Sequence, residues 1–349
     1  MPRFATGVVE AVTEQRAGLQ RVVVAGRPAY VLTEVVGPVR VGETVVVNTT
    51  AVDRSLGTGG YDVVHWNLAN PSIEIPGAGH IMKARYTSAQ LDSGTWDTDD
   101  GPGAVSAPHD VRALVADTVV VGCQLHSHVG ALAAAISADA GPTVGYVMTD
   151  GAALPMALSD LVAQCRDLGL IGPTASAGQA FGAEYEAVTV PSAVAACIYN
   201  GAGVVIVGPG PGHVGTADGL SFSGIDLVGH LDLLATLGAR TVLAIRWSSA
   251  DERERHVGLS HHTRTLLGLF ARSHVVPVAN ETMRDAVDRC ASESGLANVA
   301  VVTEQVDVAA AMAAAGLEVA TMGRSLRADA GALAALGAAA SKARQMYGS

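Results

Sequence analysis

The sequence predicts an α/β protein in two parts, a small N-terminal β-barrel and a larger, mostly parallel sheet covered by helices. Two observations carry this expectation. Over residues 1–68 apolar and polar positions alternate with period two between short turns. From residue 113 onward a strand-length apolar run, a polar or glycine-rich loop and a helical pattern recur in that order. At 349 residues the chain has the length for two domains of roughly 100–200 residues each.

In the first part, strands are expected at 6–12, 21–24, 29–35, 44–48 and 62–66. Arg40-Val-Gly-Glu leading into Thr44-Val-Val-Val-Asn is a loop-to-strand pattern of small closed barrels. An OB-like or SH3-like barrel over residues 1–68 follows, because closure removes exposed strand edges. Residues 69–112 read as a loop-rich joint punctuated by Pro71, Pro76, Gly77 and Gly79, with one strand at 81–86. The acidic run Asp97, Asp99, Asp100 and the Gly101-Pro102-Gly103 triplet close it, and a solvated loop is the simpler reading than a cation site.

The α/β domain spans 113–349. Strands are expected at 118–123, 144–148, within 170–190, and at 204–207, 241–245, 275–278, 299–302 and 318–321. Helices are expected at 129–138, 155–168, 222–237, 259–272, 282–294 and 328–345. Eight such units suit an open doubly wound sheet or a (β/α)8 barrel. The open sheet is favoured, since the remaining chain is slightly short for a closed barrel of about 250 residues. Either topology places ligand loops at the carboxyl ends of the strands.

Composition excludes several classes. Hydrophobic residues make up 49% but aromatics only 4%, so the positive mean hydropathy reflects Ala and Val in packed elements. Apolar stretches such as 129–136 fall far short of the ~18–20 residues of a membrane-spanning helix. The opening Met1-Pro-Arg-Phe-Ala-Thr runs directly into strand pattern without the features of an export signal, so a cytoplasmic location is expected. Cys123, Cys165, Cys197 and Cys290 form no C-x-x-C pair and read as reduced core thiols. A net charge of −11, acidic in both parts, opposes nucleic-acid binding, including single-strand binding by the barrel. The Ala- and Leu-rich C-terminal helices suggest a homodimer.

Candidate site residues cluster after strands. In an extended segment, His126 and His128 of Leu125-His-Ser-His would point to one side and converge on a divalent metal or an anion. The spacing is similar to the H-x-H of amidohydrolase barrels, over three residues only. A polar ligand-binding role ranks above the metal role, and a loop pair beside the helix at 129–138 is the blander reading. Gly208-Pro-Gly210-Pro-Gly212-His213-Val-Gly215-Thr216 follows an apolar strand and precedes a helical pattern, the setting of a phosphate-cradling loop. Pro209 and Pro211 remove two N–H donors, and Arg246 ends the next strand where a ribose-binding acid would stand, so NAD is not expected. A tight Gly/Pro turn that binds nothing explains the segment about as well.

Arg246 offers a planar fork for phosphate or carboxylate, with Ser248 and Ser249 adding hydroxyls, while the mixed charges from Asp251 to Arg255 read largely as a solvated face. Ser260 is a helix N-cap candidate, and the following His261 and His262 would stay neutral at a helix N-terminus. Polar strand ends at Thr149-Asp150, Asn280-Glu281, Thr303-Glu304 and Gly323-Arg324 belong to the same rim. His230, four residues after Asp226, reads as a structural pair, and His274 and Cys123 as core.

The chain resembles a bacterial family of uncharacterised proteins, the domain-of-unknown-function family numbered 3866. The resemblance rests on Tyr30-Val-Leu-Thr-Glu, Leu56-Gly-Thr-Gly-Gly, Val64-His65-Trp66-Asn67, Leu125-His126-Ser127-His128, Gly208-Pro-Gly210-Pro-Gly212-His213 and Thr321-Met322-Gly323-Arg324. It implies that the barrel-like start and the α/β remainder belong together, and assigns no catalytic residue. The leading functional expectation is a hydrolase or group transferase acting on a small anionic metabolite. That metabolite would sit between the 208–215 loop and Arg246, with His126, His128, His213, His261, His262 or Asp150 as base or metal ligand. The alternative is a non-catalytic sensor or scaffold using the same pocket.

Overall fold

The computed structural model describes all residues except 78, 99–109, 217, 292–296 and 322. Asp99, Asp100, the Gly101-Pro102-Gly103 triplet and Met322 therefore lie outside the described residues. The chain divides into two compact units between Gly94 and Thr95.

Unit 1 is a closed five-stranded barrel. Its strands are β1 (Phe4–Arg16), β2 (Leu19–Val24), β3 (Arg27–Leu32), β4 (Thr44–Asn48) and β5 (Asp62–Asn67), hydrogen-bonded in the order β1-β2-β3-β5-β4 and closed by β4 on β1. Alternation decides which side chains fill it: Val22 and Val24, Ala29 and Val31, and Val45 and Val47 point inward from their strands. Register shifts in β1 between Val9 and Ala11, and between Val12 and Glu14, bend that strand so that it pairs with β4 at its start and β2 at its end. The third strand stops at Leu32, short of the predicted 35. Residues Thr33–Val36 instead curl into the single helical turn α1, closed by Gly37 at φ 71. A two-residue hairpin, β6 (Met82–Lys83) on β7 (Leu91–Asp92), replaces the strand predicted at 81–86.

Unit 2 carries an open eight-stranded sheet. In chain order its strands are β8 (Val119–Cys123), β9 (Val144–Thr149), β10 (Thr174–Ser176), β11 (Tyr185–Glu186), β12 (Val204–Pro209) and β13 (Arg240–Ala244). A separate hairpin, β14 (Trp247–Ser248) with β15 (Gly258–Leu259), intervenes before β16 (His274–Val278) and β17 (Ala297–Val301). The spatial order is β11-β10-β9-β12-β8-β13-β16-β17, every neighbour parallel. The favoured open topology is the one observed. The segment 170–190 supplies two strands. Residues 318–321, predicted as an eighth sheet strand, instead form β18 (Ala320–Thr321) of an antiparallel hairpin with β19 (Arg324–Ser325).

Near-continuous apolar runs put both faces of these strands in core. Val119, Val121 and Cys123 of β8, with Val204 and Ile206 of β12, pack under α3 (His126–Ser137), α4 (Asp160–Asp167), α9 (Val308–Ala314) and α10 (Ala330–Tyr347). Val120, Val205, Val207 and Leu243 face the opposite layer of α5 (Val190–Tyr199), α6 (Leu227–Thr236), α7 (His261–Leu269) and α8 (Glu281–Ala291). The alanines of α10 that suggested a dimer are buried within this unit, Ala338, Ala339, Ala340 and Ala343 being inaccessible. No helix among the described residues is long and apolar enough to cross a membrane. The four cysteines are free, and three are buried.

The topology also locates a crevice. From β8 the chain crosses through α3 to β9 and moves outward to β11. It then returns through α5 to β12, directly beside β8, and proceeds through α6, α7 and α8 to the other edge. The helices after β8 and β12 thus leave on opposite faces, and the carboxyl ends of these strands open onto a topological switch point.

Candidate functional site

A cleft of about 440 Å³ opens at that switch point. It is lined by Leu125–Ser127 after β8, Pro211–His213 after β12, the start of α4, and Glu318–Thr321 beside the C-terminal hairpin. Ser127 Oγ and Thr321 Oγ1 hydrogen-bond across it.

The structure corrects the reading of His126 and His128 as an extended pair. Helix α3 begins at His126, and two residues along a helix are about 200° apart, so the rings diverge. His126 lines the cleft with both nitrogens engaged. Nδ1 lies 3.0 Å from the Pro209 carbonyl, which can only accept, so Nε2 at 2.6 Å accepts the Ser159 hydroxyl. Burial lowers its pKa to about 4 despite the carbonyl bond. His128 is 2% exposed, and burial, reinforced by Arg246, lowers it to about 3.

The glycine loop is likewise different from expectation. Strand β12 continues to Pro209, and residues 214–216 then pair with 221–223, with a Gly215–Phe222 bridge and a Ser223 N–H bond to the Val214 carbonyl. A 3-10 turn at Ser223–Asp226 precedes α6, so the glycines do not open directly onto a helix N-terminus. Two are explained by close approach. A Cβ at Gly208 would stand 2.8 Å from Cys123 Sγ, and one at Gly210 would stand 2.8 Å from the Ala153 carbonyl oxygen. Gly212 adopts φ 93, in the left-handed region, and Thr216 Oγ1 accepts the Asp218 N–H. Asp150, at the end of β9, accepts the Gln179 N–H and shapes the 178–179 turn.

Ser248 and Ser249 serve the scaffold. Asp329, the N-cap of α10, accepts both hydroxyls, the Ser249 N–H at 2.8 Å and the Ala332 N–H at 3.1 Å. This carboxylate ties the loop after β13 to the last helix. Arg246 is buried, its side chain 5% exposed, and its backbone is fixed by Thr263 Oγ1, which also receives the Gln124 amide. Its Nη1 lies 3.3 Å from His262 Nδ1. Burial, with Arg253 close by, lowers its pKa to about 10.

The principal electrostatic feature is Asp251, which sequence reading left in a solvated face. Arg253 at 3.0 Å, Arg324 at 3.4 Å and Arg246 at 3.6 Å share this one buried carboxylate. Burial pushes its pKa up, but the Arg253 hydrogen bonds outweigh that and hold it well below the carboxylate range. Arg324 arrives from the β18–β19 hairpin, about 70 residues downstream in sequence.

Next to this hub, four imidazoles meet. His261 and His262 form the first turn of α7, capped by Ser260, and His256 ends a 3-10 turn at Glu254–His256. His213 reaches in from the β12 loop, its ring centroid 5.3 Å from that of His262, and His262 stacks on Phe222 at 4.0 Å. Burial, reinforced by Arg246 and Arg253, lowers His213 to about 4 and His256 to about 3. Burial and the adjacent His261 lower His262 to about 2, and His261 is lowered by burial too. All four are neutral at physiological pH. The sequence singled out His213, His261 and His262. The His256-x4-His261-His262 spacing was the available signal for His256.

Three buried polar atoms here, Gln124 Oε1, His128 Nδ1 and His213 Nε2, have no hydrogen-bond partner among the described residues. His230 Nε2 shares that state in α6, whereas His274 is a satisfied core residue bonded to Thr241 and Asp232. No curated protein and no solved structure matches the chain. A family model does match over residues 28–340, spanning both units, and the chain belongs to that family, described as protein of unknown function (DUF3866).

Proposed function

We propose that unit 2 binds a small phosphate- or carboxylate-bearing metabolite at the switch point and acts on it as a hydrolase or group transferase, with a neutral histidine of the cluster accepting a proton. The observation that carries this is the sharing of one carboxylate by three guanidinium groups beside four neutral imidazoles, in a chain of net charge −11. Local positive charge in an acidic protein attracts anions, and the accessible guanidinium groups are Arg324, 28% exposed, and Arg253, 37% exposed with its Nε–Nη2 edge on Asp251. Unpartnered buried polar atoms beside the cleft support the reading. Each costs about 1–3 kcal/mol unless a water, an ion or a ligand meets it. An anion bound beside a neutral imidazole would raise its pKa back toward the operating pH, where it can take a proton from water or a hydroxyl.

Titration calorimetry at low ionic strength with inorganic phosphate, pyrophosphate and citrate tests this. Saturable binding of at least one anion is expected. The Arg253→Gln/Arg324→Gln double variant should weaken it about tenfold or more, the equivalent of about 1.4 kcal/mol. Absence of saturable binding to the wild type rejects the proposal. A cellular ligand bound but recovered chemically unchanged after long incubation rejects the catalytic half.

A further inference from the structure

We infer that His256, His261 and His262 form a transition-metal site. It deepens the reading of this crevice as a ligand site and supplies the activating group. One nitrogen from each ring lies within 4.8 Å of the others. Four-coordinate zinc-like ions with bonds of 2.0–2.1 Å hold their ligand atoms about 3.4 Å apart, so loading would draw the three rings together by up to about 1.4 Å.

The surroundings select the ligating atoms. His256 Nδ1 lies 2.8 Å from Ser260 Oγ, His261 Nδ1 lies 3.2 Å from the Arg255 carbonyl, and His262 Nδ1 faces Arg246. Nδ1 is engaged in every ring, which leaves Nε2 as the common free atom. In His256 and His261 one ring nitrogen meets an oxygen and the other is left for a ligand, the arrangement in which metal-binding imidazoles are oriented; His262 Nδ1 meets the Arg246 guanidinium instead. An all-imidazole set suits zinc, copper, nickel or cobalt over magnesium or calcium. The three ligands leave a fourth position for water or substrate, next to Arg246 and His213. Ligation by Nε2 of His262 places a proton on Nδ1, so its contact with Arg246 gives way on loading.

The test is cobalt(II) titration of tag-free, chelator-treated full-length protein, followed by visible absorption and by metal analysis after desalting. One equivalent per chain with the intense visible bands of a tetrahedral ion is expected for the wild type and for His65→Ala, which removes an exposed imidazole on the barrel. His261→Ala and His256→Gln should weaken uptake about tenfold or more. His261 is half-buried, so its variant keeps the fold, as circular dichroism will verify; if His256→Gln unfolds, His261→Ala decides alone. No retained cobalt in the wild type, or unchanged uptake in His261→Ala, overturns the inference. Phosphate titration of the chelator-treated protein separates the two proposals. Phosphate binding without cobalt uptake leaves the anion site and removes the metal, and cobalt uptake without anion binding does the reverse.

Discussion

Asp329 offers the sharpest test of how this site is held together. Its carboxylate is 5% exposed and takes four donors: the Ala332 N–H that starts α10, the Ser249 N–H, and the hydroxyls of Ser248 and Ser249. Loss of an N-cap alone costs about 1 kcal/mol. Hydrogen bonds to a charged group are worth about 1.5–3 kcal/mol each, and the three donors from the 248–249 loop lose theirs together, partly regained through water. Asp329→Ala is therefore expected to cost unit 2 about 3–5 kcal/mol. Asp307→Ala, which removes the exposed cap of α9 and its single bond to Ala310, should cost about 1 kcal/mol. Urea unfolding followed by far-ultraviolet circular dichroism at pH 7 compares the two, with the transitions of the two units fitted separately. The carboxyl is pushed up by burial, but the serine and backbone bonds outweigh this and hold its pKa below the usual value. Its stabilisation is thus complete above about pH 4 and is lost only as pH falls through the lower folded value. Equal costs for the two alanine variants would refute the assignment of Asp329 as the tie between the loop after β13 and α10.

Acid should act on the histidine sites at milder pH. Imidazoles held neutral by burial, His126 and His213 at about 4 and His128 and His256 at about 3, protonate in the unfolded chain near 6.5. The unfolded state then binds more protons, so the urea midpoint should fall steadily from about pH 6.5 toward pH 4; a flat profile contradicts the neutral assignment. Gly208→Ala forces a methyl group against Cys123 and should destabilise unit 2 by about 1–3 kcal/mol, with no loss if the glycine served only an anion.

Much of the fold was legible because its signals are local. Alternating valines mark the barrel strands, and runs such as the apolar stretch at 204–207 mark strands buried on both faces. The failures also have local causes. Thr33-Glu-Val-Val has the composition of a strand but turns helical ahead of Gly37, and residues 318–321 lie in a hairpin outside the main sheet. His126 and His128 were misjudged because the helix begins three residues earlier than its apolar pattern, which changes the angle between the rings.

The site was legible only as a set of polar loops after strands. His213, His261, His262 and Arg246 were singled out that way, since a strand end in an α/β sheet is a position set by sequence order. Their roles were not, because a role depends on which loop meets which. Ser248 and Ser249 resemble anion ligands until Asp329, about 80 residues away, takes their hydroxyls. Asp251 resembles a surface charge until Arg324 crosses from the C-terminal hairpin.

The sequence by itself determined the class of each part and the strand ends on which polar residues gather, and it favoured an open parallel sheet over a closed barrel. Only the tertiary structure decided the strand order that brings β12 beside β8, and with it which charges are buried together. Periodicity encodes the face that each residue presents to its neighbours. The proximity that shifts a histidine pKa or shares one carboxylate among three arginines arises between segments far apart in the chain, where no local pattern records it.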